Sequence, residues 1–184
     1  MKRIIFAIFL LVNGCSATNT SDEVFEDTFK AYVTAYNNRE WMESLKYIPP
    51  QTFEKFSREQ IVEYLQEAER TIGQTKILEY EFVRRGPVLV KGDSVFRKIR
   101  YKSTVVNYSN RDTLNPNAVK YLGNIYGEAN IKYDSSKRIY IINQIKDLIF
   151  MRAKDTDWVF LECDSVKETK MTKRLVPPDI LLKL

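Results

Sequence analysis

The 184-residue chain contains no histidine. That removes the usual base for a serine or cysteine nucleophile and the commonest zinc ligand. Cysteine is scarce as well: Cys15 and Cys163 are the only two, so there is no disulfide framework and no C-x-x-C pair. The six glycines form neither a phosphate-cradling loop nor a G-x-S-x-G elbow. Charge of one sign is also lacking. Against 29 Lys and Arg stand 24 Asp and Glu, a net of +5 to which Lys2 and Arg3 contribute two. So small a bias gives no argument for nucleic acid, and none is expected as a partner. No cofactor and no metal site are expected either. What remains is 44% hydrophobic and 29% charged residues, ordinary for one soluble domain with a real core.

The N-terminus carries the clearest signal. Lys2 and Arg3 precede nine apolar residues, Ile4 to Val12. That run is too short for a bilayer-spanning helix, which needs ~20 residues, and has the layout of a secretory signal peptide. Val12-Asn13-Gly14-Cys15 resembles a bacterial lipobox, in which a small residue lets the peptidase reach the bond and the Cys thiol takes a diacylglyceryl group. The expected organisation is a signal peptide over 1–14, a lipidated Cys15 with a flexible polar tether over 15–22, and a single α+β domain over 23–184. The partner implied is the membrane, through lipid on Cys15. The expected location is the bacterial cell envelope, lipid-anchored at the outer membrane and facing the periplasm or the surface. With Cys15 acylated, Cys163 has no disulfide partner and reads as a small structural residue.

Helices come first. Phe25, Phe29, Tyr32, Val33 and Tyr36 share one helical face. Trp41, Leu45 and Ile48 continue that spacing until Pro49-Pro50 stops it, and Pro50 suits the start of a short helix carrying Phe53 and Phe56. Ser57-Arg58-Glu59-Gln60 is a capping box. Ile61, Tyr64, Leu65, Ala68 and Ile72 form the next apolar stripe, closed by Gly73.

Then the period changes to two. Leu78, Tyr80 and Phe82 alternate with Glu79 and Glu81. Gly86-Pro87 is expected to turn the chain into a short strand, 88–91. A long strand from Ser94 to Tyr108 puts Val95, Ile99, Tyr101 and Val105 on one face and Lys98, Arg100, Lys102 and Thr104 on the other. Ser109–Asn115 reads as a polar loop. A short helix from Pro116 holds Ala118, Leu122 and Ile125 inward. Two hairpins follow, 129–133 with 138–143 and 148–154 with 158–162. Pro177-Pro178 opens a last helical turn, 179–182. Trp41 and Trp158 are expected in the core. Asp155 and Asp157 read as turn formers.

The tract AYNNREWMESLKYIPPQTFEKFSREQIVEYLQEA resembles the helical half of nuclear transport factor 2-like domains. MRAKDTDWVFLECDS and the terminal KRLVPPDILLKL look like their closing hairpin and final helix, as in small secreted Bacteroidetes lipoproteins of unknown role. The likeness spans Glu23 to Leu184; the helix near 116–126 departs from the family's simplest form. It implies N-terminal helices packed on a strongly curved antiparallel sheet, a nuclear transport factor 2-like or cystatin-like cone.

Some relatives of that fold are isomerases and dehydratases, but no residue here matches their catalytic motifs. The expected function is therefore a non-catalytic ligand- or protein-binding domain on a lipid anchor. The alternatives are a small-molecule enzyme using the cone, or an accessory or immunity-type protein acting on a partner protein. The candidate pocket residues are Tyr36, Tyr80, Tyr101 and Arg152, an aromatic wall with one cation, suited to a small, partly apolar anion. Tyr32 is a further candidate wall residue, and Asp147 a candidate acid nearby.

Overall fold

The computed structural model describes residues 20–109, 116–163 and 170–184. The signal peptide, the lipobox with Cys15 and nearly all of the 109–115 loop lie outside the described residues. No described helix is long and apolar enough to cross a membrane.

The architecture is α+β. Helices α1 (Asp22–Asn37), α2 (Trp41–Ser44) and α3 (Arg58–Ile72) come first. Acidic Asp22 and Glu23 sit in the first turn of α1, where they complement its positive end. The capping box of α3 forms as its sequence requires: Gln60 N–H donates to Ser57 Oγ, and Ser57 N–H donates to Gln60 Oε1 at 2.9 Å. Five antiparallel strands follow: β1 (Gln74–Lys91), β2 (Ser94–Tyr108), β3 (Ile131–Asp134), β4 (Ile139–Arg152) and β5 (Val159–Cys163). Helix α4 (Pro116–Tyr126) lies between β2 and β3, and α5 (Lys170–Leu175) and α6 (Pro178–Leu181) end the chain. The sheet is open, in the order β1-β2-β4-β3, and β5 also pairs with β4. β3 and β5 thus share one edge of β4. β3 pairs with Ile139–Ile142 and β5 with Asp147–Met151.

Several elements differ from the sequence expectation. Gly86-Pro87 does not turn the chain: β1 runs on through it, with register shifts after Ile77, Phe82 and Arg85. Gly86 is needed because a Cβ there would meet the Lys98 carbonyl oxygen at 2.9 Å. The shift after Ile77 flips the alternation, so Ile77 packs inward and Leu78 is left 54% exposed. The two strands expected at 138–143 and 148–154 are one, β4. Ile125 and Tyr64, expected on apolar faces, are exposed. Helices were expected on one face only, yet α5, unread in the sequence, joins α6 on the other.

Three clusters make the core. On the face covered by the N-terminal helices, Phe25, Phe29 and Val33 of α1 meet Phe82, Ile99, Tyr101, Leu148, Phe150, Trp158 and Phe160. Further along the same face, Ile72 of α3 and Ala118 and Leu122 of α4 cover Val105, Tyr140 and Ile142. On the opposite face, Val176 and Ile180 cover Phe96, Ile149, Met151 and Cys163. Trp41 and Trp158 are both 6% exposed, as expected. Cys163 is buried with its Sγ 3.4 Å from Thr172 Oγ1.

Candidate functional site

The inner face, the one under α1, α3 and α4, is interrupted. Inward positions of β4 read Tyr140, Ile142, Gln144, Lys146, Leu148, Phe150, because residues two apart share a face. The first two belong to one apolar cluster and the last two to another. Gln144 and Lys146 are the polar gap between them. Register places Ser103 beside Gln144, Tyr101 beside Lys146 and Leu148 beside Glu162. The result is a polar seam across an otherwise apolar face.

Its groups are bonded to one another. Glu162 accepts from the Tyr101 hydroxyl at 2.5 Å through one oxygen and from Lys146 Nζ at 2.5 Å through the other. Lys146 Nζ stands 5.4 Å from the centre of the Tyr126 ring, a cation–π contact. Gln144 Nε2 donates to Ser103 Oγ at 3.0 Å, while Gln144 Oε1 is enclosed without a partner. An enclosed acceptor left unmade costs ~1–3 kcal/mol.

Tyrosines close the seam from the helix side. Tyr32 and Tyr36 of α1 lie 6.0 Å apart, ring centre to ring centre, and Tyr36 meets Trp41 edge-on at 5.2 Å. Burial, reinforced by Glu162 and neighbouring tyrosines, pushes the Tyr32, Tyr101 and Tyr126 hydroxyls well above the ordinary tyrosine range. Burial and then the Glu69 charge push Tyr36 up to about 12. All four are neutral at physiological pH and can both donate and accept. The hydroxyls of Tyr32, Tyr36 and Tyr126 have no hydrogen-bond partner among the described residues, and none is sealed inside protein. Tyr36 and Tyr126 also wall a cavity of about 160 Å³ between α1, α3 and α4, with Trp41, Tyr121, Leu65 and Glu69. Arg39 stands 3.0 Å from Glu69 Oε1, a charge contact without hydrogen-bond geometry, so that oxygen remains an open acceptor.

Of the four residues singled out in the sequence, Tyr36 and Tyr101 belong to this site. Tyr80 packs edge-on against Phe29 at 4.9 Å and borders a different depression, and Arg152 lies over the Trp158 ring at 4.9 Å beside a third. The single cation expected in the pocket is therefore elsewhere. Asp147 is on the opposite face, where Arg100 clamps both its oxygens at 2.8 and 3.2 Å. An odd-numbered residue on β4 cannot share a face with Lys146. Missed in the sequence were Tyr126, Lys146 and Glu162. Reading 139–152 as one strand would have exposed Lys146 as a break in an apolar row.

The opposite face carries the second notable surface. Glu79, Glu81, Lys102, Thr104, Asn143 and Ile145 border an open trough of about 800 Å³. Lys102 and Glu81 pair across it at 2.6 Å, and Ile145 is 61% exposed.

No family model matches the chain, and no curated protein does. Among solved structures, the crystal structure of AclR, a proposed hydroxylase from Streptomyces galilaeus, aligns at a TM-score of 0.30 and 13% identity. That alignment covers 88% of this chain and 94% of AclR.

Proposed function

We propose that this is a lipid-anchored envelope protein whose domain binds a small ligand, without turnover, at the tyrosine-lined seam. The carrying observation is the set of three tyrosine hydroxyls, those of Tyr32, Tyr36 and Tyr126, with no hydrogen-bond partner among the described residues, two of them on residues that wall the cavity beside the Tyr101–Glu162–Lys146 seam. Hydroxyls in such half-enclosed positions can exchange water for a ligand's polar group. Each Glu162 oxygen already accepts one hydrogen bond, which fits a group engaged in binding better than a base free to take a proton. The finer architecture we propose is the nuclear transport factor 2-like cone. Its support is the three register shifts in β1, since bulges bend strands, together with helices laid over one face.

Two experiments test this reading. Cys15→Ala protein should leave the membrane fraction while remaining folded; retention after a high-salt wash would refute the anchor. Native mass spectrometry of protein released from its own membranes should show an added small-molecule mass at clearly higher occupancy than in Tyr126→Phe/Lys146→Met protein. Equal occupancy in both forms would refute the binding site.

One observation favours a second reading, a protein partner. The trough on the opposite face is uncovered and holds exposed Ile145. If Ile145→Arg, and no seam variant, disrupts the physiological role, that surface takes precedence.

A further inference from the structure

The ligand's class follows from three properties of the site, given the binding reading above. The first is size. About 160 Å³ is close to the volume of an engineered cavity that accepts benzene, so the enclosed part holds one six-membered ring. The second is lining. Trp41, Tyr36, Tyr121, Tyr126 and Leu65 offer ring faces and edges, which suit an aromatic frame better than a sugar covered in hydroxyls. The third is charge. The ionic groups nearest the cavity stand beside counter-ions: Arg39 beside Glu69 at 3.0 Å and, in the adjoining seam, Lys146 beside Glu162 at 2.5 Å. A charged ligand would have to break one of these pairs in a desolvated setting, which leaves the displaced partner uncompensated. The polar groups still open are the neutral hydroxyls of Tyr36 and Tyr126 and one acceptor, Glu69 Oε1, which has no hydrogen-bond partner among the described residues.

We infer that the cavity between α1, α3 and α4 takes an uncharged single aromatic ring bearing a hydroxyl, a phenol, whose hydroxyl bonds to Tyr36 and Tyr126 at the edge of the seam. This replaces the anion expected from the sequence, because Arg152 is not at the site and Lys146 is not free. The Lys146–Glu162 pair then acts as a charge filter. Removing either member should change the charge that the site prefers.

The test uses four ring-sized probes, phenol, toluene, benzoate and benzylammonium, titrated calorimetrically into the folded protein, with saturation-transfer NMR for weak binding. Wild-type protein should bind phenol at least tenfold more tightly than benzoate or benzylammonium. Tyr126→Phe should weaken phenol about fivefold, the value of one hydrogen bond. Glu162→Gln should gain benzoate binding at least tenfold, and Lys146→Met should gain benzylammonium by a similar factor. Thermal unfolding of each variant confirms that it is folded. Wild-type preference for benzoate would overturn the phenol assignment and leave the binding reading standing. Toluene binding as tightly as phenol, unaffected by Tyr126→Phe, would reduce the site to a plain apolar cavity. Failure of all four probes with every folded variant would overturn the binding reading itself.

Discussion

The two halves of β4 are built differently. From Asp147 to Met151 every residue is buried. Leu148 and Phe150 lie under the aromatic side chains of α1, while Ile149 and Met151 lie under α5 and α6. From Ile139 to Lys146 only one face is covered: Tyr140, Ile142 and Gln144 are buried, whereas Asn143 and Ile145 are exposed. One half is a sandwich that spends its side chains on packing. The other gives up apolar contact at Gln144 and Lys146, on the covered face, where a hydrocarbon would have packed. Loss of apolar burial in a protected position is the mark of a site rather than of a scaffold.

The largest expected effect lies in the sandwich. Phe150 is fully buried, with ring contacts to Phe25 at 5.1 Å and Phe160 at 5.4 Å. Phe150→Ala should cost about 3–5 kcal/mol, read by urea unfolding. Ile145→Ala, in the open half, should change stability by less than about 0.5 kcal/mol. Similar losses at both positions would erase the distinction.

Asp147 marks the boundary on the outer face. Its side chain is 4% exposed and held by Arg100, which is 36% exposed. Asp147→Ala should cost about 2 kcal/mol, from lost charge-assisted bonds discounted for the partner's solvation. A loss below about 0.5 kcal/mol in the same unfolding assay would put Asp147 among ordinary surface charges.

A smaller and more telling effect is expected in the seam. Replacing Lys146 and Glu162 together by Met and Leu swaps a partly enclosed ion pair for apolar packing. Such swaps are often neutral or stabilising, within about 1–4 kcal/mol on the favourable side. Stability should hold or rise while the preference for uncharged over charged ring probes disappears. Marked destabilisation would make the pair structural.

The alkaline limit gives the mildest effect. Tyrosine ionises near pH 10 in the unfolded chain, whereas Tyr36 is raised to about 12 by burial and the charge of Glu69, and Tyr126 is raised further. The folded state therefore holds more protons above pH 10. The contribution is fully present below about pH 10 and is lost as pH rises through the folded-state values. Urea midpoints measured from pH 9 to 12 should fall, and fall less steeply in Tyr36→Phe protein. Equal slopes would place the Tyr36 hydroxyl in water.

Much of the fold was legible in the sequence, for local reasons. The Ser57 capping box, the α1 face and the alternation of β2 are all written in neighbouring residues. The continuity of β4 was not. Asn143, Gln144, Lys146 and Asp147 form a polar run that reads as a break between hairpins. It is one strand in an unbroken ladder with β2, its polar run accommodated by Asp147 meeting Arg100 on one face and Lys146 meeting Glu162 on the other. Leu78 was misplaced for a related reason: the register shift after Ile77 depends on Asn37, whose side-chain amide bonds Ile77 O at 2.8 Å and Ile77 N at 3.0 Å. Those partners are forty positions apart in the chain. The site was half legible: Tyr36 and Tyr101 sit on recognisable apolar faces, but Glu162 and Lys146 join them only through strand register.

The most direct test of the central claim is ¹⁹F NMR of protein carrying fluorotyrosine, titrated with phenol. Resonances of Tyr36 and Tyr126 should shift with one saturating curve, Tyr101 following through Glu162, while Tyr108 on the opposite face stays fixed. Shifts confined to Tyr108, or no saturable shift at Tyr36 and Tyr126, would contradict the assignment of the seam as the binding site.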